Sequence, residues 1–193
     1  MHFEALKKFH FILASKSPRR QYLLKELGLT FDVHTKDVDE SFPSSLKAHE
    51  IPLYLAEKKA NAFEAELSEE TIVITSDTIV WIENQVLNKP ADKEDAVRML
   101  KLLSGKIHEV YTGVCLKSKH KIKSFYACTK VYFKPLTMQE IEYYITNFNP
   151  YDKAGAYGAQ EWIGYIAVEK IEGSYFNVMG LPLKELYEQL LLF

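Results

Sequence analysis

The stretch Phe9-His-Phe-Ile-Leu-Ala-Ser-Lys-Ser-Pro-Arg-Arg20 decides the fold, because it joins a short apolar strand directly to the start of a helix. Ser17 is a good N-cap, and Pro18 suits the first helical position, where a missing amide hydrogen costs nothing. Three leucines between residues 23 and 27 give this helix an apolar face, and Gly28 is a natural stop. The sequence therefore predicts a strand, a tight turn and a helix in direct succession.

The rest of the chain alternates predicted helices with predicted strands. Apolar runs predict strands at 31–38, 71–75, 79–82, 107–117, 122–134 and 166–168, and caps with helical spacing predict helices at 51–67, 92–103, 137–146 and 182–191. The polar turn Ser118–Lys121 joins two of these strands into an antiparallel hairpin. We therefore expect an α/β fold with a mixed sheet, in which Ser76-Asp77-Thr78 interrupts the β-rich stretch between 71 and 82.

Composition bounds the kind of protein and its partners. The chain has 193 residues and a formal net charge of −2, which fits one globular domain over residues 1–193. This near-neutral balance excludes a polybasic protein that binds nucleic acid through its overall field. The apolar run Phe11–Ala14 is too short to span a membrane. From the charge and the short apolar run we expect neither nucleic acid nor a membrane as a partner. Cys115 and Cys128 lie in strand-like runs, so we expect two buried thiols in a reducing cytoplasm.

The turn after the first strand concentrates groups that bind anions. Ser15 and Ser17 offer hydroxyl donors, while Lys16, Arg19 and Arg20 add positive charge at the start of the helix. Free amide hydrogens and the helix dipole favour an anion at this end, and basic residues there are unfavourable for the helix alone. The pattern predicts a phosphate site, although it contains no Walker loop. The alternative is a solvated basic turn capped by Ser17.

Acidic residues in two places are candidates for catalysis and metal binding. Asp77 follows an apolar strand, where a carboxylate can act as a general base, or it can simply make a turn hydrogen bond. Lys89 returns near Asp77 if the two short strands around residue 83 pair with each other. Asp37, Asp39 and Glu40 are candidate ligands for Mg²⁺, which usually takes one or two carboxylates plus phosphate oxygens. The alternative for these three is a solvated acidic loop.

The segment Asp152–Gln160 is rich in small residues, which permit close approach of a ligand to the backbone. Lys153 can neutralise phosphate charge, and the Gln160 amide offers both a donor and an acceptor, as a group that contacts a base would. The alternative is an ordinary surface loop. The later segment Ser174–Pro182 is expected to shape the entry to the last helix.

These segments together resemble the Maf family of nucleotide pyrophosphatases, also called septum formation proteins. They occur in the family's order and span nearly the whole chain. The matching pieces are Leu13-Ala-Ser-Lys-Ser-Pro-Arg-Arg20, Val38-Asp-Glu40, Leu55-Ala-Glu-Lys-Lys-Ala60, Ser76-Asp-Thr78, Lys89-Pro90, Leu103-Ser-Gly105, Val110-Tyr-Thr-Gly113, Asp152-Lys-Ala-Gly-Ala-Tyr-Gly158 with Gln160, and Ser174 to Pro182.

The resemblance implies hydrolysis of nucleoside triphosphates to monophosphate and pyrophosphate with a divalent metal, Mg²⁺ or Mn²⁺. It implies that Asp77 accepts the proton of the attacking water and that Glu40 and Asp77 hold the metal. Phosphate contacts are implied for Ser15, Arg20 and Lys59, with Lys89 near the charge that is redistributed; Ser17 and Lys153 complete the predicted phosphate-binding set. The implied fold is an elongated mixed-sheet α/β unit with two lobes around a central cleft, related to inosine triphosphate pyrophosphatases and commonly a homodimer.

The resemblance also implies a substrate. The branch of the family that acts on dTTP and UTP carries Arg, Thr and Gln at three selectivity positions, which correspond here to Arg19, Thr78 and Gln160. This points to a cytoplasmic enzyme that cleanses the nucleotide pool. Two alternatives stay open: a pyrophosphatase for 7-methylguanosine or other modified triphosphates, and a nucleotide-binding regulator of septum formation that does not hydrolyse its ligand. The chain departs from the family at Lys16 and Asn88, where glycine is usual.

Overall fold

The structure is a computed structural model that describes residues 2–193, apart from the side chains of residues 2, 3 and 5. Its strands are His10–Leu13 (β1), Phe31–Val33 (β2), Thr71–Ile82 (β3), Gln85–Leu87 (β4), Ile107–Lys117 (β5), Ile122–Phe133 (β6) and Val168–Glu172 (β7). Its α-helices are Pro18–Glu26 (α1), Glu50–Asn61 (α2), Lys93–Leu103 (α3), Met138–Phe148 (α4), Trp162–Ala167 (α5), Tyr175–Val178 (α6) and Leu183–Leu192 (α7). Short 3-10 helices lie at His2–Lys8, Glu64–Glu66, Pro150–Asp152 and Ala154–Ala156.

The strands form one mixed sheet in the order β2-β1-β3-β5-β6-β7, with β4 paired to β3. Strand β1 is parallel to both β2 and β3, whereas the β3–β4 and β6–β7 pairs are antiparallel. The predicted mixed α/β fold is therefore confirmed. Among the described residues, no helix is long and apolar enough to cross a lipid bilayer.

Two compact units divide the chain, and each is assembled from separate segments. The first unit contains the residues up to Asp77, Thr112–Ala127 and Gly180–Phe193, and the second contains Thr78–Tyr111 and Cys128–Met179. Strands β3, β5 and β6 each contribute one part to each unit.

The first unit is built on the predicted strand, turn and helix. Residues 11–13 of β1 are buried, and α1 covers the sheet with Leu23 and Leu24. Helix α2 packs so closely on β5 that a Cβ atom added to Gly113 would lie 2.4 Å from the carbonyl carbon of Pro52. Only hydrogen fits at this point, which explains the glycine in the Val110–Gly113 motif.

The second unit has its own apolar core. Helices α3, α4 and α5 pack around the end of β3 and the aromatic ring of Tyr157. Local caps begin two of these helices as expected: the Asp92 side chain accepts a hydrogen bond from the amide of Asp95, and Thr137 with Glu140 forms a capping box. The sequence located these helix starts because the caps are local.

The predicted interruption of the strand at Ser76-Asp77-Thr78 is wrong, since β3 runs unbroken from Thr71 to Ile82. Distant groups bind two polar residues of this strand, Thr75 and Asp77, whereas the buried Ser76 hydroxyl has no hydrogen-bond partner among the described residues. The buried Thr75 hydroxyl donates to the carbonyl of Ala56 at 2.7 Å, and the Asp77 carboxylate pairs with Lys59. Buried polar groups with partners carry little of the usual desolvation cost.

Several other boundaries differ from expectation. The second strand ends at Val33 instead of 38, and the helix predicted to reach 67 ends at Asn61, with a 3-10 turn beyond it. Residues 166 and 167 belong to helix α5, and the strand follows them. Cys115 is buried as expected, but Cys128 is exposed, because the alternation of β6 places it on the outer face of the strand.

The buried His108 of β5 should make the protein sensitive to acid. Its Nε2 atom lies 2.8 Å from the Tyr157 hydroxyl, and burial lowers the pKa of His108 to about 3. The unfolded chain takes up this proton below about pH 6.5, so the free energy of unfolding should fall as the pH drops from there towards 3, by at most about 1.4 kcal/mol per pH unit. We expect His108→Gln to flatten this dependence in urea denaturation between about pH 6 and pH 4. An unchanged slope would contradict the assignment.

Candidate active site

The turn between β1 and α1 has the predicted construction. The Ser17 hydroxyl oxygen accepts from the amide of Arg20 at 3.5 Å, and the Ser15 hydroxyl oxygen accepts from the amide of Ser17 at 3.2 Å. Pro18 occupies the first turn of α1, which has no acidic residue to balance the helix dipole. Lys16 is exposed on this turn. Positive charge is therefore concentrated at a helix start, which suits an anion.

Arg20 is held from a distant part of the sequence. Its Nε atom donates to the Gly180 carbonyl at 2.8 Å, and its Nη1 atom donates to the Ser15 hydroxyl at 3.5 Å. Burial lowers the pKa of Arg20, and the negative charge of Asp77 opposes that shift. The guanidinium stays protonated in either case, so a fixed positive charge lies near the carboxylate of Asp77.

Lys59, near the end of α2, joins two carboxylates. Its Nζ atom lies 2.6 Å from Oδ1 of Asp77 and 2.8 Å from Oε1 of Glu40. The Lys59 and Asp77 side chains are 16% and 14% exposed, whereas that of Glu40 is 51% exposed, so solvent can reach the pair from the Glu40 side. The first unit thus brings Arg20, Lys59, Asp77 and Glu40 into one electrostatic group with balanced charge.

The three acidic candidates of the 37–40 segment lie in different surroundings, and Asp37 is exposed. Asp39 accepts hydrogen bonds from the hydroxyl and amide of Ser41 and pairs with Lys58 at 3.2 Å. These contacts, with the Ser41 hydroxyl first, lower the pKa of Asp39 to about 2. Asp39 is thus engaged in its own loop, and Glu40 is the member of the segment that reaches Lys59.

The donor set fits a divalent metal that binds together with a phosphate ligand. The carboxylates of Asp77 and Glu40 already converge on one cation, the ammonium group of Lys59. Mg²⁺ and Mn²⁺ prefer such oxygen ligands, and Mg²⁺ usually takes only one or two carboxylates from the protein. Within residues 2–193, no group of three or more His, Cys, Asp or Glu side chains is placed to hold a metal. The remaining ligands would therefore come from substrate and water.

The other predicted site residues, apart from Arg19, belong to the second unit. Thr78 is half-buried in β3, Lys89 is exposed just after β4, and Gln160 is half-buried just before α5. The pairing of β3 with β4, on which the expected return of Lys89 depends, is present, with Val80 opposite Leu87. The roles of Thr78, Lys89 and Gln160 remain predictions, as does that of Arg19, which is half-buried in α1.

Lys153 has carboxylate partners in its own unit. Its Nζ atom lies 2.7 Å from Oδ1 of Asp152 and 3.0 Å from Oε1 of Glu161, and the residue is 7% exposed. Residues 155–159 are buried as well, so the interpretation of this segment as an ordinary surface loop is wrong. The contact of Lys153 with phosphate stays a prediction.

Sequence reasoning missed three groups that support these residues. The Gly180 carbonyl holds Arg20, and the side chains of Tyr144 and Glu161 hold the segment that precedes Gln160. A signal for Gly180 exists in the Gly-Leu-Pro sequence, since this glycine adopts a φ of +110° that other residues avoid. The sequence does not single out Tyr144, because it occupies an ordinary position on the apolar face of helix α4.

Comparison with known proteins identifies the family of this chain. The family model described as Maf-like protein matches residues 10–193. A relative from Flavobacterium johnsoniae named dTTP/UTP pyrophosphatase is 56% identical over 187 residues, covering 97% of this chain and 96% of its own. Relatives of the same name from Bacteroides fragilis and Porphyromonas gingivalis are 50% and 46% identical, and cover 96% of this chain and 96% and 94% of their own.

The fold and the site define an α/β protein in which a basic helix start lies close to a carboxylate paired with lysine. The chain belongs to the Maf family. Among solved structures, the Staphylococcus aureus Ham1 protein overlaps 64% of this chain and 71% of its own, with a TM-score of 0.48 and 14% identity, a likeness too weak to support any inference.

Proposed function

We propose that this protein hydrolyses dTTP and UTP to the nucleoside monophosphate and pyrophosphate. The observation that carries the proposal is the Asp77 carboxylate, whose Oδ1 atom lies 2.6 Å from the Lys59 ammonium and whose charge raises the pKa of Arg20 against the effect of burial. A protein that only binds nucleotide has no need of a carboxylate among its phosphate contacts. The names of the curated relatives, each matched over nearly the full chain, supply the substrates.

The turn before α1 binds the triphosphate in this proposal. The Ser15 and Ser17 hydroxyls, the free amides of the helix start and the Arg20 guanidinium supply donors to phosphate oxygens. Lys59 provides a further positive charge, and Lys89 and Lys153 stabilise charge on the leaving pyrophosphate. Because Gly180 and Ser15 already fix the Arg20 side chain, it loses little conformational entropy when the substrate binds.

Asp77 acts as the general base. Its carboxylate accepts a proton from a water molecule, which attacks the triphosphate as the bond between the α- and β-phosphates breaks. The pairing with Lys59 keeps Asp77 oriented before substrate arrives. Substrate phosphates attract the Lys59 ammonium as well, and this frees the carboxylate oxygen for water.

Asp77 and Glu40 would hold the divalent metal. Such an ion screens the charge of the triphosphate and lowers the barrier to attack by water. Metal binding can be measured without turnover: calorimetry with Mn²⁺ and a nonhydrolysable triphosphate should show weaker ion binding for Glu40→Gln than for the matched control Asp39→Asn, whose carboxylate is bound to Lys58.

Selectivity for the base rests in this proposal on Arg19, Thr78 and Gln160. The uncharged edge of thymine or uracil pairs with an amide, which offers a donor and an acceptor, better than with a carboxylate, which only accepts. We expect Gln160→Glu to lower kcat/KM for dTTP by roughly tenfold, the value of one well-made hydrogen bond. Steady-state kinetics over a nucleotide panel tests this. Unchanged selectivity would remove Gln160 from base recognition.

The same panel, with detection of released pyrophosphate and with each divalent metal in turn, tests the function itself. Preference for dTTP and UTP supports the proposal. Preference for 7-methylguanosine triphosphate would assign the chain to the other branch of the family. Tight nucleotide binding without release of pyrophosphate under any metal would instead identify a regulator that binds and does not hydrolyse.

We also propose that the enzyme is a cytoplasmic homodimer. The free thiols Cys115 and Cys128 suit a reducing compartment. Light scattering coupled to gel filtration tests the oligomeric state, and a monomer at micromolar concentration would contradict it.

A further inference from the structure

A buried polar network holds the segment that leads to Gln160. The hydroxyl of Tyr144 donates to Oε2 of Glu161 and accepts from the amide of Gly158 at 3.0 Å. The other carboxylate oxygen of Glu161 accepts from Nζ of Lys153 at 3.0 Å. Tyr144 is fully buried, and burial raises its pKa, as does the charge of Glu161, so its hydroxyl keeps the proton that it donates.

The backbone on both sides of Gln160 is fixed as well. On one side, a Cβ added to Gly164 of α5 would lie 2.1 Å from the carbonyl oxygen of Ala159, so helix and loop are in direct contact. On the other side, the amide of Glu161 donates to the Gly158 carbonyl at 3.0 Å. The loop also contains Ala156 at a φ of +59°, a conformation that a non-glycine residue adopts only where its surroundings impose it.

The main-chain carbonyl of Gln160 accepts a hydrogen bond, whereas its side-chain amide makes none with the described residues. The exposed Tyr165 donates its hydroxyl proton to the Gln160 carbonyl at 2.5 Å. No hydrogen bond joins the side-chain amide of Gln160 to another of residues 2–193, and the residue is half-buried. A fixed backbone with an unused amide is the arrangement expected of a group that contacts a ligand.

Burying this network costs free energy of hydration, which suggests that it has a purpose such as fixing the backbone of Gln160. The buried lysine and phenol and the half-buried carboxylate lose much of their hydration, and replacing such a group by apolar residues is often neutral or stabilising. A buried ionic group that fixes one conformation can compensate for that cost through specificity. Glu161 is the neighbour of Gln160 in the chain, so a shift of its carboxylate moves the backbone that carries the amide.

We propose that Tyr144 and Glu161 are positioning residues for base selectivity, which act by fixing the orientation of Gln160. The inference rests on the proposed function, because it requires Gln160 to contact the base. It goes beyond it by assigning part of the selectivity to two side chains that need not touch the substrate. Lys153 belongs to this network through its contact with Glu161, in addition to its proposed contact with pyrophosphate.

Two variants test the proposal separately from folding. Tyr144→Phe keeps the buried ring but removes the acceptor for the Gly158 amide, and Glu161→Gln keeps the shape of the side chain but removes its charge. We expect each to reduce the ratio of kcat/KM for dTTP to that for 7-methylguanosine triphosphate by about tenfold, mostly through KM for dTTP. Inorganic tripolyphosphate, which has no base, should inhibit Tyr144→Phe with the same Ki as the wild type, since this variant leaves both carboxylate partners of Lys153 in place.

Tyr143→Phe and Glu169→Gln are matched controls, since both residues are exposed and lie on α4 and β7 of the same unit. Neither control should change the ratio. A uniform loss of kcat for all nucleotides, or an unchanged ratio in both test variants, would overturn the proposal.

Hydrogen exchange distinguishes this outcome from failure of the proposed function. The Gly158 amide should be protected in the wild type and should exchange at least tenfold faster in Tyr144→Phe, whatever the enzyme hydrolyses. If the wild type turns over neither dTTP nor UTP, the proposed function fails on that measurement alone. If it prefers them and Gly158 exchanges equally fast in both proteins, the positioning role fails instead.

Discussion

Asp77→Asn is expected to lower kcat for dTTP hydrolysis by roughly 10²–10⁴-fold, the usual contribution of a general base. The amide has the size of the carboxylate but cannot accept the proton of the attacking water. It also loses the ion pair with Lys59, in which the two atoms lie 2.6 Å apart. Pyrophosphate release at saturating nucleotide and metal measures the effect.

The matched control for this experiment is Asp39→Asn, which changes a nearby acidic residue that pairs with Lys58 and not with Lys59. It should retain activity close to that of the wild type. Thermal melting of both variants separates loss of the base from loss of the fold. Turnover of Asp77→Asn at the wild-type rate would exclude Asp77 as the base, even if every other residue of the site were required.

Gly113→Ala is expected to cause a large loss of stability, because the added methyl group would overlap backbone atoms of α2, which cannot rotate away as a side chain can. Its Cβ would lie 2.4 Å from the carbonyl carbon of Pro52 and 2.5 Å from the amide nitrogen of Leu53. Overpacking of this kind typically costs about 1–3 kcal/mol and more where neither side can move. Urea denaturation should show a clearly lower midpoint. Helix α2, which carries Lys59, should no longer pack closely on β5.

Gly105→Ala is the informative comparison. Gly105 has a φ of +68°, but a Cβ there would find its nearest neighbour at an ordinary 3.5 Å. This variant therefore measures the cost of a positive φ without any steric overlap of the new methyl group. We expect the free energy of unfolding to fall by about 1–2 kcal/mol. If Gly113→Ala costs no more than Gly105→Ala, the close approach of α2 to β5 is not a constraint on the fold.

The parts of the fold that the sequence predicted well depend on residues close together in the chain. Ser17 caps α1 through the amide of Arg20, and Thr137 with Glu140 closes the capping box of α4. Each device needs only three or four consecutive residues, so it is visible without knowledge of the tertiary structure. The same is true of the long β5–β6 hairpin, whose turn is polar and short.

Errors arose where a distant partner decides the local structure. Asp77 and its neighbours look like a break in a strand, yet β3 is continuous, with Asp77 paired to Lys59 and the Thr75 hydroxyl bonded to the carbonyl of Ala56. Similarly, the Asp152–Gln160 segment has the composition of a surface loop, but its residues 155–159 are buried and the Gly158 amide donates to the Tyr144 hydroxyl. Propensity alone cannot report such partners.

The sequence by itself determined the family, the mixed α/β class and the concentration of positive charge at the first turn, because these follow from ordered motifs and local hydrogen bonds. Only the tertiary structure decided which charges act together: Glu40 and not Asp39 reaches Lys59, and Arg20 is held by a carbonyl 160 residues away. The physical reason is that an ion pair forms between side chains that the fold brings within about 4 Å, whatever their separation in the chain.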